Sequence, residues 1–354
     1  MEPNPALGVV IFVLGGLAGA IFYLPFKKVR NWAWESYWMI YAVVGLVVVP
    51  WVLAFSTSPN VLAVLRQASG KELAYCFLCG AMWGVGGLTW GLMIRYLGVG
   101  LGLAIGCGLC SAAGTLIPPI IAGRLGDLWG TASANASLFG VGVSLLGIVL
   151  VGMAGMSKEN ELPEEAKKKA VAEYNFKKGI LVAIFSGLMS SGMNYGLQGG
   201  AGIEKLAQVT APITSATWKG MSVLVVVLLG GFTVNFTYCL CLNVTNKTIG
   251  DYTKKDAPLG ANLLFAGLAG AIWCSQFICL KTGEPAMGKT AYVGWAVLMA
   301  SAILFSTLLG ILLGEWKGTS ARTRQRLAVG LLLLILSSVI AAYSGYLGQS
   351  GAAT

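Results

Sequence analysis

Ten stretches of roughly twenty mainly apolar residues follow one another along this chain, at 5–26, 37–55, 73–94, 99–122, 134–155, 179–197, 218–242, 259–280, 291–314 and 327–348. Each is about as long as a helix must be to cross a bilayer's hydrocarbon core. Lipid offers no partner to an exposed amide, so a crossing segment must satisfy its own backbone, which a helix does. Only 11% of the residues are charged and 56% are hydrophobic, whereas a soluble domain carries about 25% charged residues. The expected fold is an all-α integral membrane protein of about ten transmembrane helices.

The formal charge of +10 does not point to nucleic acid, because the basic residues sit in short connections between apolar stretches. They read as orientation charges. With ten crossings, seventeen of the 24 lysines and arginines fall on one side. The positive-inside rule makes that side cytoplasmic and puts both termini outside. The first stretch follows Glu2 rather than a basic segment and is long enough to span, so it reads as the first helix and not as a cleaved signal.

The longest polar stretch, 156–178, divides the ten segments five and five. Residues 1–155 are expected to form a first five-helix repeat, 156–178 a cytoplasmic linker and 179–354 a second repeat. In the linker, Glu164/Lys168 and Glu165/Lys169 stand four apart, as in a short solvated helix. The halves echo each other: Gly80-Ala81-Met82-Trp83 recurs as Gly270-Ala271-Ile272-Trp273, each followed at the same interval by Gly98 and Gly288. Gly8 and Gly16 correspond to Gly179 and Gly187. Halves with an odd number of crossings lie in the membrane in opposite senses, giving an inverted repeat of the kind found in secondary transporters.

Residues 22–38 form a hinge dense in aromatic and basic groups. Pro25 cannot continue a helix ladder, so the first helix should end there. Lys27, Lys28 and Arg30 then fall at headgroup level, and Trp32, Trp34 and Trp38 fit either an interfacial aromatic belt or a gate. Glu35, beside a span and near three basic residues, is suited to change protonation as its surroundings open and close, or to act as a fixed ion-pair partner. Arg95 closes the third segment. Lys219 and Lys281 read as snorkelling near span ends. Glu284, in Thr-Gly-Glu-Pro, is expected in a broken connection between two spans. Glu35 and then Glu284 are the expected proton carriers.

Inside the spans, Trp83, Trp90, Asn194, Tyr195, Trp273 and Gln276 combine flat apolar faces with directional hydrogen-bond partners. A sugar needs both, for its C–H faces and its hydroxyls. The same residues would also serve interhelical packing. Glycines four apart, such as Gly98/Gly102/Gly106 and Gly192/Gly196/Gly200, let helices approach closely. Cys76/Cys79 and Cys107/Cys110 have metal-like spacing, but they lie in apolar spans of a chain without histidine and read as small apolar filler, with no metal or cofactor expected. Asn243-Val-Thr and Asn246-Lys-Thr match glycosylation acceptors but fall on the side expected to be cytoplasmic.

The motif Tyr23-x-Pro25-Phe26-Lys27-Lys28-Val29-x-x-Trp32-x-Trp34-Glu35, with Gly80-Ala81-Met82-Trp83-Gly84 and Arg95-Tyr96-Leu97-Gly98, resembles the L-rhamnose–proton symporter family of the drug/metabolite transporter superfamily. The resemblance extends through Asn175-Phe176-Lys177-Lys178-Gly179, Ser191-Gly192-Met193, Gln276-Phe277 and Glu315-Trp316. It implies a ten-helix inner-membrane importer of L-rhamnose with a proton, and it adds Tyr23 to the expected sugar-binding residues. Between segments 8 and 9 the family pattern has a histidine-containing stretch where this chain reads Lys281-Thr-Gly-Glu-Pro-Ala-Met-Gly-Lys289. The sequence thus points to a proton-coupled importer of L-rhamnose or a related deoxysugar. Its partners are expected to be sugar, proton and lipid. An exporter or facilitator of another small neutral metabolite is the alternative. A membrane transferase is remote, since no acidic pair stands at helical spacing within a span and there is no histidine.

Overall fold

The computed structural model describes residues 4–123, 125–161, 175–314 and 316–350. The expected linker helix carrying Glu164 to Lys169, and Glu315, lie outside the described residues. The described residues build helices: α1 (Pro5–Ile21), α2 (Trp34–Val43), α3 (Val49–Thr57), α4 (Val61–Gln67), α5 (Gly70–Ile121), α6 (Ala132–Asn160), α7 (Phe176–Ser190), α8 (Gly192–Gly199), α9 (Ala201–Val209), α10 (Met221–Thr245), α11 (Leu259–Met287), α12 (Gly294–Leu312) and α13 (Ala321–Ser350). Among the described residues, eight stretches are long and apolar enough to cross a membrane. One of these is Leu259–Leu312, which covers two of the expected segments in a single 54-residue run.

Helix ends follow local chemistry. The first helix stops before Pro25, which instead opens a 3-10 turn, Pro25–Lys28. The next helix starts at Trp34, earlier than expected, so the hinge is shorter than the sequence suggests. Between α2 and α3 the ladder widens into a π-helical stretch, Val44–Val48. Pro50 has no N–H to give the Leu46 carbonyl four residues back, which accounts for the slip.

The expected loop at 95–98 is absent, because α5 is helical throughout. The chain nevertheless reverses there. Gly102 and Gly106 lie against Met93, and Gly106 also meets the Trp90 ring. In a straight helix those last two residues would stand roughly 24 Å apart. Leu97 and Met93 pack with Ala183 of α7 around this reversal. Thr-Gly-Glu-Pro is likewise not a break: α11 runs through Pro285, and the connection is the 3-10 turn Gly288–Val293.

Two compact units result. One comprises residues up to Leu17, Gly86–Asn194 and those from Gly283 onward; the other comprises Ala18–Val85 and Tyr195–Thr282. In the first, α6 packs along α13, where Gly147 faces the Leu334 side chain and Gly330 faces Val151. In the second, Gly45 and Gly270 bring two backbones together so closely that a methyl group on either would meet the other's main chain. Gly80 lies in the same way on the Val227 carbonyl of α10.

Candidate functional site

In the second unit the hinge and the glycine contacts gather the aromatic residues. An unbroken run of rings leads from Trp34 through Trp38, Tyr41 and Trp273 to Trp83, with centroids 5.0, 4.6, 5.8 and 5.0 Å apart. Gly80 and Gly270 allow this, because each removes bulk one turn before its tryptophan. Tyr23, exposed, lies against Phe22 with ring centroids 4.1 Å apart and the planes tilted by 37°. The Trp38 indole donates to Asn235 Oδ1 at 3.1 Å, and the Gln276 amide to the Trp273 carbonyl at 3.0 Å. Tyr195 belongs to this unit as well. Lys27 and Lys28 sit exposed on the 3-10 turn, and Trp32 is buried with its ring edge against Tyr252.

Glu35 lies buried in the first turn of α2. Its Oε1 accepts from Asn246 Nδ2 and Thr248 Oγ1, both at 2.9 Å. Ser36 donates to Asp251 Oδ2 at 2.8 Å, and the Ala33 N–H donates to the same oxygen at 2.7 Å. Burial opposes ionisation of Asp251. The bonds from Lys254, the Ala33 amide and Ser36 outweigh it and hold the carboxyl below its ordinary range. Asn243 and Asn246, the two glycosylation-like asparagines, are thus members of a polar network beneath the hinge. Asn243 is itself buried, and its Oδ1 lies 3.2 Å from Ser36 Oγ.

The snorkelling expectation for Lys281 is overturned. Its side chain is 2% exposed, and its Nζ lies 2.6 Å from Glu204 Oε1. Lys219 approaches Oε2 of the same carboxylate at 3.1 Å. Glu204 belongs to α9, whose first amides, Gly202 and Ile203, donate to Glu72 Oε1 at 2.7 and 3.1 Å. This short helix folds back over α5 and α11 through those bonds, so the lysine meets a carboxylate instead of the interface.

In the first unit, Trp90 donates to Ser190 Oγ at 2.8 Å, and Thr89 and Ser186 share a hydrogen bond. Asn194 is buried in α8, and its Nδ2 donates to the Gly114 carbonyl at 2.6 Å. Glu284 is buried within α11. The Arg95 side chain lies outside the described residues. The structure therefore groups Tyr23, Trp32, Trp34, Glu35, Trp83, Tyr195, Trp273 and Gln276 in one unit, and Trp90, Asn194 and Glu284 in the other. Asn235, Asp251 and Tyr252 escaped sequence reasoning, and Asn243 was read only as a glycosylation acceptor, because isolated polar residues carry no periodic signal.

Apolar helices of spanning length, glycine-mediated packing and buried polar groups define an integral membrane protein of helical type. The family model described as L-rhamnose-proton symport protein matches residues 1–346. Proteins named L-rhamnose-proton symporter from Yersinia pestis (strain Pestoides F) and Cronobacter sakazakii (strain ATCC BAA-894) are each 32% identical over 338 residues, covering 94% of this chain and 96% of theirs. The chain belongs to the L-rhamnose-proton symport protein family. Members of that family are named as symporters, so it is a transporter family and not one of enzymes.

Proposed function

We propose that this protein is a secondary transporter of the inner membrane that imports L-rhamnose, or a closely related deoxysugar, with a proton by alternating access. The observation that carries this reading is the end-to-end similarity, 32% identity across 94% of the chain, to proteins named L-rhamnose-proton symporters. The geometry agrees with it. The aromatic run ending in Trp83 and Trp273, with Gln276 beside it, suits a molecule with C–H faces and hydroxyls. Tyr23, Tyr195, Trp90 and Asn194 complete the proposed sugar-contacting set, each within its own unit. The test is purified protein in proteoliposomes carrying an internal pH dye. Addition of L-rhamnose outside is expected to acidify the lumen, and sugar entry without proton movement at any pH would refute symport.

The same reading includes ten crossings arranged as two inverted five-helix repeats, in the manner of the drug/metabolite transporter superfamily, with both termini outside. Its support is a set of paired contacts. Trp83 and Trp273, counterparts in the two halves, touch each other, as residues near a two-fold axis do. Gly80 packs on the Val227 carbonyl in the seventh expected segment, and its counterpart Gly270 on the Tyr41 carbonyl in the second. Gly8 meets Met287, and its counterpart Gly179 meets Leu97; each of those neighbours immediately precedes an echoed glycine. Three unrelated contacts obey one exchange of halves.

Coupling requires that the protonated carrier bind sugar better than the deprotonated one. Glu35, and after it Glu284, are the proposed proton sites, and Lys27, Lys28, Trp32, Trp34 and Arg95 are the proposed gating residues.

A further inference from the structure

Hydroxyl-bearing side chains in these helices usually donate back to their own backbone. Ser56, Thr233, Thr282 and Ser306 each bond the carbonyl four residues earlier at 2.7 to 2.9 Å. Ser111 and Thr115, one helical turn apart on α5 and fully buried, do not: neither hydroxyl has a partner. Asn194 Oδ1, also buried, has none either. Its amide nitrogen faces the Gly114 carbonyl, which fixes the orientation of the amide and keeps Oδ1 within a few ångströms of that turn.

The reason lies in Pro118-Pro119. Without N–H groups these residues cannot donate to the carbonyls of Gly114 and Thr115, their ladder partners. Asn194 supplies the missing donor at Gly114. Pro119 likewise removes the usual ladder donor of the Thr115 carbonyl. One turn of helix thus carries the unpartnered Ser111 Oγ and Thr115 Oγ1, with the unpartnered Asn194 Oδ1 of α8 anchored to it at Gly114. An indole stands alongside: Trp295 donates to the Cys110 carbonyl at 3.0 Å, and its ring lies so close to Gly114 that a methyl group there would strike it.

We infer that Ser111, Thr115 and Asn194 form the seat for one hydroxyl group of the transported sugar. A sugar hydroxyl would donate its one proton to the Asn194 amide oxygen and accept from the two rotatable hydroxyls of Ser111 and Thr115. The Trp295 indole, its Nε1 edge against this turn, helps fix the turn's position. This inference rests on the rhamnose reading above and names the part of the site that recognises a hydroxyl.

The experiment measures binding of L-rhamnose and of its analogues lacking one hydroxyl each, to the full-length protein in detergent and to Ser111→Ala, Thr115→Val and Asn194→Ala. In the unaltered protein one analogue is expected to bind about fivefold or more weaker than rhamnose, the loss expected from one hydrogen bond. In each variant rhamnose binds about fivefold weaker, and that one analogue suffers no further loss, while the others keep their own penalties. Ser144→Ala removes another buried, unpartnered hydroxyl of the same unit and is expected to change nothing. Penalties that multiply for every analogue, or variants that bind like the unaltered protein, overturn the inference and leave a buried water as the guest of the turn. If Asn194→Ala does not fold, Ser111→Ala decides alone. If the unaltered protein binds no sugar of the series, the rhamnose reading itself fails.

Discussion

The ammonium of Lys281 lies 2.6 Å from Glu204 Oε1, and the lysine side chain is almost wholly shut off from solvent. Removing one member of a buried ion pair strands the other and costs about 3–5 kcal/mol. The two ends of this network are not equivalent. Lys281→Met leaves Glu204 paired to Lys219 at 3.1 Å, whereas Glu204→Gln takes the shared carboxylate away from both lysines. Glu204→Gln is therefore expected to lower the melting temperature of detergent-solubilised protein more than Lys281→Met does. The reverse order would mean that Lys219 holds the carboxylate only weakly.

The paired glycine contacts give a second prediction. A methyl group at Gly80 would overlap the Val227 carbonyl, and one at Gly270 the Tyr41 carbonyl. Each forces a backbone shift that costs about 1–3 kcal/mol. Gly80→Ala and Gly270→Ala should destabilise the protein to a similar extent, while Gly250→Ala, with nothing within 4 Å of the added carbon, should not. Melting curves of the three variants read this directly. A large effect at one glycine of the pair and none at the other would speak against equivalent packing in the two halves.

Much of the architecture was legible because apolar length is a one-dimensional signal. That α1 stops before Pro25 was readable for the same reason, since proline acts on its own neighbours. The reversal near Gly102 was not, because the chain turns without leaving helical hydrogen bonding. Lys281 was misread because its partner, Glu204, is distant in sequence, and no local pattern announces such a pair. The echo of Trp83 in Trp273 was visible, but not that the two rings touch. Pro118-Pro119 did carry an unused signal: two adjacent prolines late in an apolar run release two carbonyls, and a buried side-chain donor must then come from elsewhere.

Asp251 sets an acid-side limit on stability. Its carboxyl is held below the ordinary range although burial works the other way. A group whose folded pKa is lowered contributes stability above the unfolded value, and the contribution is lost as pH falls through the folded one. Stability should therefore fall with acidification below about pH 4. Asp251→Asn should be less stable at neutral pH by on the order of 2 kcal/mol, from weaker bonds to Ala33, Ser36 and Lys254, and its decline in acid should be shallower. Melting temperatures of both proteins between pH 7 and about pH 3 check the sign. Parallel curves would exclude Asp251 as the source.

Glu35 separates sugar movement from proton movement. Its Oε1 accepts from Asn246 and Thr248 at 2.9 Å, and a glutamine keeps an oxygen able to accept both bonds. Glu35→Gln should therefore fold with its network intact while losing a titratable site. In proteoliposomes it is expected to exchange labelled for unlabelled rhamnose at a rate close to that of the unaltered protein, since exchange needs no net proton flux. Accumulation driven by an imposed pH gradient should fall by tenfold or more, the loss expected when the energetic link to the gradient is worth at least about 1.4 kcal/mol. If Glu35→Gln still accumulates sugar and Glu284→Gln does not, the coupled proton resides on Glu284 of α11, and the Glu35 network holds the hinge to the turn after α10 without taking part in coupling.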